Sequence, residues 1–172
     1  MKLNTTFFLL GVIPLWASCA MQPIVLTPVG PGPFVNGASS NGKGDLEVYT
    51  ETEEFYEDEM SYFPHTDYEI YTPDGECLKH VWNHQNHEDE HPATVTLPPG
   101  RYVVRAWADL HGLVEVPVVI RPNETTRVVL QPGWKPGETV PKSDLVQMPN
   151  GYFVGWRADL PLKQRQKRAP CQ

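Results

Sequence analysis

From residue 45 onward the chain alternates apolar and polar side chains, and turn signals interrupt it at intervals of roughly ten residues. Acids separate the apolar residues of Leu46-Glu47-Val48-Tyr49 and Tyr68-Glu69-Ile70-Tyr71, and Thr94 and Thr96 separate Ala93, Val95 and Leu97. Tyr102, Val104 and Ala106 lie opposite Arg101 and Arg105, residues 114–120 are almost continuously apolar, and Val128 and Leu130 bracket a second short run after Arg127. A period of two puts alternate side chains on opposite faces, so each run reads as a strand with one face in a core. Thr72-Pro73-Asp74-Gly75 has the order of a tight hairpin turn, Pro99-Gly100 suits a type II turn, and Pro122-Asn123-Glu124 separates the next pair. No window of ten or more residues carries a helical stripe. The pattern predicts an all-β chain: an antiparallel sandwich of six or seven strands over residues 45–131.

Two flanks complete the layout. Residues 144–157 hold two short apolar runs around Pro149-Asn150-Gly151, and Asn-Gly is the strongest short hairpin signal, so a C-terminal β-hairpin is added after a linker at 132–143. Residues 158–172 form a basic tail with Lys163, Arg165, Lys167 and Arg168. At the other end, Lys2, the apolar stretch Phe7 to Trp16 and the small residues Ala17, Ser18, Cys19 and Ala20 make residues 1–20 an export signal, too short for a membrane span. Ala17-Ser18-Cys19 resembles the end of a bacterial lipobox, with Trp16 where Leu is usual, and this makes Cys19 the lipidated residue. Ordinary cleavage after Ala20 is the competing reading. Residues 21–44, dense in proline and glycine, read as an extended, solvated tether. The expected location is the bacterial cell envelope, anchored through lipid, or else the periplasm or outside the cell.

Within the sandwich, Phe63-Pro64-His65-Thr66, Tyr68 to Gly75 and Leu97-Pro98-Pro99-Gly100-Arg101-Tyr102-Val103-Val104 resemble the carboxypeptidase-regulatory-like and PEGA-like β-sandwich domains of bacterial exported lipoproteins. The resemblance covers roughly residues 45–131 and implies a transthyretin-like or immunoglobulin-like module that presents or spaces other things. It supplies no catalytic residues.

The sharpest chemical feature is the run His80, His84, His87 and His91, in which residues 87–91 spell His-Glu-Asp-Glu-His, a match to the zinc-peptidase pattern. That chemistry needs a helix, which alone puts His87 and His91 on one side with Glu88 beside a metal-bound water. Pro92 forces His91 away from helical geometry, and no apolar stripe is present to dock such a helix. The favoured reading is a polar hairpin loop joining residues 78–82 to 93–97, with no cofactor and no catalysis. The alternative is a zinc site built from His84, His87, His91 and Glu88, in a metal-binding protein or a zinc-dependent hydrolase.

A second constellation packs six acids into residues 51–59, interleaved with aromatics. It lacks the Asp/Asn alternation and glycine of a calcium loop, so it reads as a solvated loop, with Glu53, Glu54, Phe55, Tyr56, Glu57 and Asp58 as a candidate surface for another envelope protein. The net charge is -7, and residues 45–90 carry 15 acids and a single base, Lys79, which argues against nucleic acid as a partner. No nucleophile elbow, phosphate-cradling glycine loop or dinucleotide fingerprint occurs. Cys77 and Cys171 are a candidate disulfide in an oxidising compartment.

Overall fold

The computed structural model describes residues 22–32, 42–86, 88–137 and 140–159. They are all-β and sandwich-like, with one 3-10 turn at Lys142–Asp144 and no α-helix among them. In chain order the strands are β1 (Ile24–Val25), β2 (Val29–Gly30), β3 (Gly44–Tyr49), β4 (Phe55–Glu57), β5 (Met60–Tyr62), β6 (Tyr68–Tyr71) and β7 (Cys77–Val81). They continue with β8 (Thr94–Leu97), β9 (Gly100–Ala108), β10 (Gly112–Ile120), β11 (Thr125–Val129), β12 (Leu145–Gln147) and β13 (Phe153–Arg157).

The large sheet runs β12-β13-β2-β10-β9-β6-β7, with β1 also on β10, and the small sheet runs β11-β3-β8. Most ladders are antiparallel; β1 and β2 on β10, and β11 on β3, are parallel. The core lies between the two sheets. Ile70, Val104, Val114 and Val116 from the large sheet, and Leu46, Val48 and Val128 from the small one, have no solvent exposure. Alternation therefore does what the sequence demands of it: along β10, Val114, Val116, Val118 and Ile120 are buried while the residues between them are partly exposed. A hydroxyl also ties the sheets, since Thr126 Oγ1 donates to the carbonyl of Val119 at 2.8 Å.

Four local expectations change. The stretch 22–32 is not a solvated tether: Leu26 and Val29 are in the core, and the backbone of β1 and β2 pairs with β10. Pro23, Pro28 and Pro31 fall outside these two-residue strands, so the missing N–H groups cost no ladder bond. The C-terminal hairpin is not set apart by its linker either, because β13 pairs with β2 and extends the large sheet. Pro99-Gly100 is not a type II turn, since Gly100 does not have positive φ: it starts β9 opposite Ile120, and the corner carries the chain from the small sheet to the large one. Nor does the His-rich segment close a hairpin. The strands it joins, β7 and β8, belong to different sheets, so residues 82–93 are a sheet-to-sheet crossover.

Gly155 shows why the added hairpin can join the sheet. A Cβ there would stand 2.6 Å from Val29 Cγ1 and 2.8 Å from the Arg127 carbonyl oxygen, so only glycine lets β13 sit against β2 and β11. Gly155→Ala is expected to lower the unfolding free energy by about 2 kcal/mol in urea titration, the usual cost of overpacking against backbone.

Candidate functional site

The crossover is built around Asn83, a fully buried carboxamide. Its Nδ2 donates to the Val48 carbonyl at 2.9 Å, to Thr50 Oγ1 at 3.1 Å and to the Thr66 carbonyl at 3.2 Å. Its Oδ1 accepts from the Ala93 backbone N–H at 3.0 Å, and its own N–H donates to Asp67 Oδ1 at 3.0 Å. Thr50 Oγ1 also donates to the Thr66 carbonyl at 2.7 Å. One side chain thus joins β3, the segment entering β6, and both ends of the crossover.

Two imidazoles extend this network. His65, 3% exposed, meets the Thr50 carbonyl through Nδ1 at 2.9 Å, and half-buried His84 meets the His65 carbonyl through Nδ1 at 2.9 Å. A carbonyl only accepts, so in both rings Nδ1 carries the proton and the lone pair of the neutral ring lies on Nε2. That is the tautomer a metal ligand uses, but the other partners do not converge. The His91 side chain is 96% exposed, with Nδ1 3.8 Å from Asp89. Glu88 is exposed, and its backbone N–H donates to Asn86 Oδ1 at 3.0 Å. His87 lies outside the described residues. Among the described residues no group of three or more His, Cys, Asp or Glu side chains is placed to hold a metal ion.

What organises the loop tip is Asp89, whose carboxylate accepts the N–H groups of Gln85 at 3.1 Å and His91 at 3.2 Å. These backbone bonds hold the Asp89 carboxyl below its usual pKa. No helix forms over the described residues of 84–91, so Glu88 and His91 do not share a helical face. His80 stands on β7, 3.4 Å from Asp67, and His111 packs on Tyr152 at 5.8 Å between ring centroids.

The acidic segment is a hairpin, not an irregular loop. β4 and β5 pair across Asp58 and Glu59, whose φ angles of 49° and 65° are those of a type I′ turn without its usual glycine. Glu53, Glu54, Tyr56, Glu57 and Asp58 are exposed and Phe55 is half-buried, so the candidate partner residues share one accessible hairpin. Glu90 Oε1 accepts the Phe63 N–H at 2.9 Å and ties this hairpin to the His-rich crossover. Cys77 is an exposed thiol on β7, whereas Cys171 and Cys19 lie outside the described residues.

A groove that no sequence pattern marked lies on the outer face of the large sheet, about 720 Å³ in volume. It opens because residues 51–53 wedge beside β9: Glu51 N–H donates to the Trp107 carbonyl at 3.0 Å, and Thr66 N–H donates to the Glu51 carbonyl at 2.9 Å. Trp107 and Arg105 line one side, and Asp67, Glu69 and His80 line the other. Burial, then the neighbouring charges of Asp109 and Glu53, push the Glu51 carboxyl above its usual pKa. The signal lay in the outward position of Trp107 on β9, which stands at 46% exposure.

Compared with known proteins, the chain matches no family model, no curated protein and no solved structure.

Two outcomes follow from the buried network. Asn83→Ala takes the side-chain partners from the Val48 carbonyl and the Ala93 N–H, while the Thr66 carbonyl keeps Thr50 Oγ1, and is expected to cost roughly 3 kcal/mol in urea titration. Burial is also the main influence on His65 and holds its pKa below the ordinary 6.5, against the opposing pull of the Thr50 carbonyl and of Asp109 and Asp89. The unfolded chain then takes up the proton first, so the contribution of His65 is full above pH 6.5 and is lost as pH falls toward the folded value. Glu51 and Asp109, both raised, act in the opposite sense at lower pH. Urea midpoints of the native protein should therefore fall between pH 7 and pH 5.5, and those of His65→Gln should fall less.

Proposed function

We propose that this chain is a non-catalytic lipoprotein of the bacterial cell envelope, whose β-sandwich serves as a binding or structural module held at a membrane by lipid on Cys19. The observation that carries the reading is the use made of the His-rich segment. It is an irregular crossover between sheets, with His84 bonded to the His65 carbonyl at 2.9 Å and the His91 side chain out in solvent at 96% exposure. A water-activating zinc centre needs Glu88 beside two imidazoles fixed on one side of a helix, and this backbone path presents Glu88 to solvent instead. The accessible acidic-aromatic hairpin and the groove on the large sheet give the module surfaces with which to bind. The resemblance to exported lipoprotein sandwich domains and the apolar stretch ending at Cys19 support the envelope location.

Two measurements on the full-length chain test this. Zinc, copper and nickel contents of protein purified without an affinity tag or chelator should not exceed those of His87→Ala, His91→Ala. One metal per chain, lost in that variant, would contradict the reading. Cys19→Ala should move the protein from the membrane fraction to the soluble one, since a single unlipidated segment gives no stable anchor. An unchanged distribution would remove the lipid anchor.

A further inference from the structure

We infer that the groove beside β9 is an oligosaccharide-binding site that takes an extended, uncharged sugar chain, an inference that rests on the binding-module reading and names its ligand class. The groove is open and partly polar, so it suits a ligand that lies along a surface better than one enclosed in a pocket. Its walls end in flat aromatic surface. Trp107 stands on one side, and on the other the lining residue His80 packs edge-on against Trp82, which lies just beyond the groove, at 5.0 Å between centroids. Both indoles are exposed, at 46% and 72%, which leaves apolar ring faces unburied. The C–H groups on one face of a pyranose ring carry partial positive charge and meet the negative face of an indole, and this contact needs no deep cavity.

Between the aromatic walls the polar groups are mixed in kind and held in place. Arg105 binds Glu115 through Nε at 3.1 Å and Nη2 at 2.7 Å, and its guanidinium lies 4.6 Å from the Tyr71 ring centroid. Glu69 accepts the Tyr71 hydroxyl, and Asp67 accepts the Asn83 N–H and stands 3.4 Å from His80. Each carboxylate has further lone pairs, and the guanidinium has further N–H groups. Fixed acceptors and donors side by side match hydroxyl groups, which both donate and accept, and their rigidity lowers the ordering cost of binding.

The same arrangement disfavours the charged alternatives. Asp67, Glu69 and Glu51 repel a phosphate-bearing polymer. A cationic peptide would meet the Arg105 guanidinium on the wall.

The test is titration of the full-length chain, in a detergent without a sugar headgroup, with cellohexaose, chitohexaose and hexalysine, followed by tryptophan fluorescence and by mass spectrometry of the sugars. Saturable quenching by at least one hexasaccharide is expected, with a Kd on the order of 0.1 mM. Trp107→Ala should weaken it about tenfold or more, as loss of a central aromatic contact does. Trp82→Ala, at a side chain too exposed to matter to folding, should weaken it measurably with an unchanged melting temperature. No binding of either hexasaccharide at about 5 mM, binding indifferent to both substitutions, or binding of hexalysine alone would overturn the site. Loss of the site in this way leaves the module reading standing, because membrane attachment and metal content are measured separately. Shortened oligosaccharides in the mass spectrum would uphold the groove and contradict the non-catalytic reading.

Discussion

Asn83 is buried where the chain leaves the large sheet for the small one, and its carboxamide replaces the ladder that neither sheet can supply there. A crossover exposes the backbone groups of two strand ends to an apolar interior, and each unmet group costs about as much as a lost hydrogen bond. Asn83 meets the Val48 and Thr66 carbonyls and the Ala93 N–H at once. Thr50 and His65 close the same region from the side of β3. With these groups satisfied, β8 is positioned to pair with β3, and the segment before β6 is held against residues 51–53. The outer groove is a consequence, because the same wedge of residues 51–53 separates Trp107 from Asp67.

The histidines read differently in this light. A run of four imidazoles with carboxylates between them suggests ligands when only spacing is visible. In the fold, His84 is tied to backbone, His80 faces the groove beside Asp67, and His91 points into solvent. Their shared feature is their place in a polar crossover. Arg127 donates through Nε and Nη2 to one carboxylate oxygen of Glu47, and Arg105 does the same to Glu115, each pair joining adjacent strands of one sheet. Of the two, only the Arg127–Glu47 pair joins the acidic first half of the sandwich to the second, and partly exposed pairs of this kind contribute modestly to stability.

Much of the architecture was legible because strand periodicity is local. The alternation at 46–49, 68–71 and 93–97, the turn at Thr72–Gly75 and the hairpin around Asn150-Gly151 all correspond to elements of the fold. What was not legible is which sheet a strand joins. Nothing near Leu78 or Val95 records that β7 and β8 lie in different layers, so the segment between them looked like a hairpin loop. The two-residue strands β1 and β2 are too short to show a period, and proline and glycine around them give the composition of a tether. Asn83 was invisible for a related reason: a single asparagine after a strand is ordinary, and only the burial of both sheet faces around it gives it a role. The groove was hidden because Trp107 and His80 belong to different strands, brought to one face only by the order β9-β6-β7.

The measurement that tests this account most directly is amide hydrogen exchange at Ala93, whose N–H ends on the Asn83 side chain, compared with Val104 and Val116 in the core strands. If the crossover is part of the cooperative core, the Ala93 amide exchanges only with global unfolding, at the rate of those strand amides, although it lies outside any strand. Exchange as fast as that of the exposed Glu88 amide would contradict the account, since it would mean that the Asn83 network opens independently of the sheets.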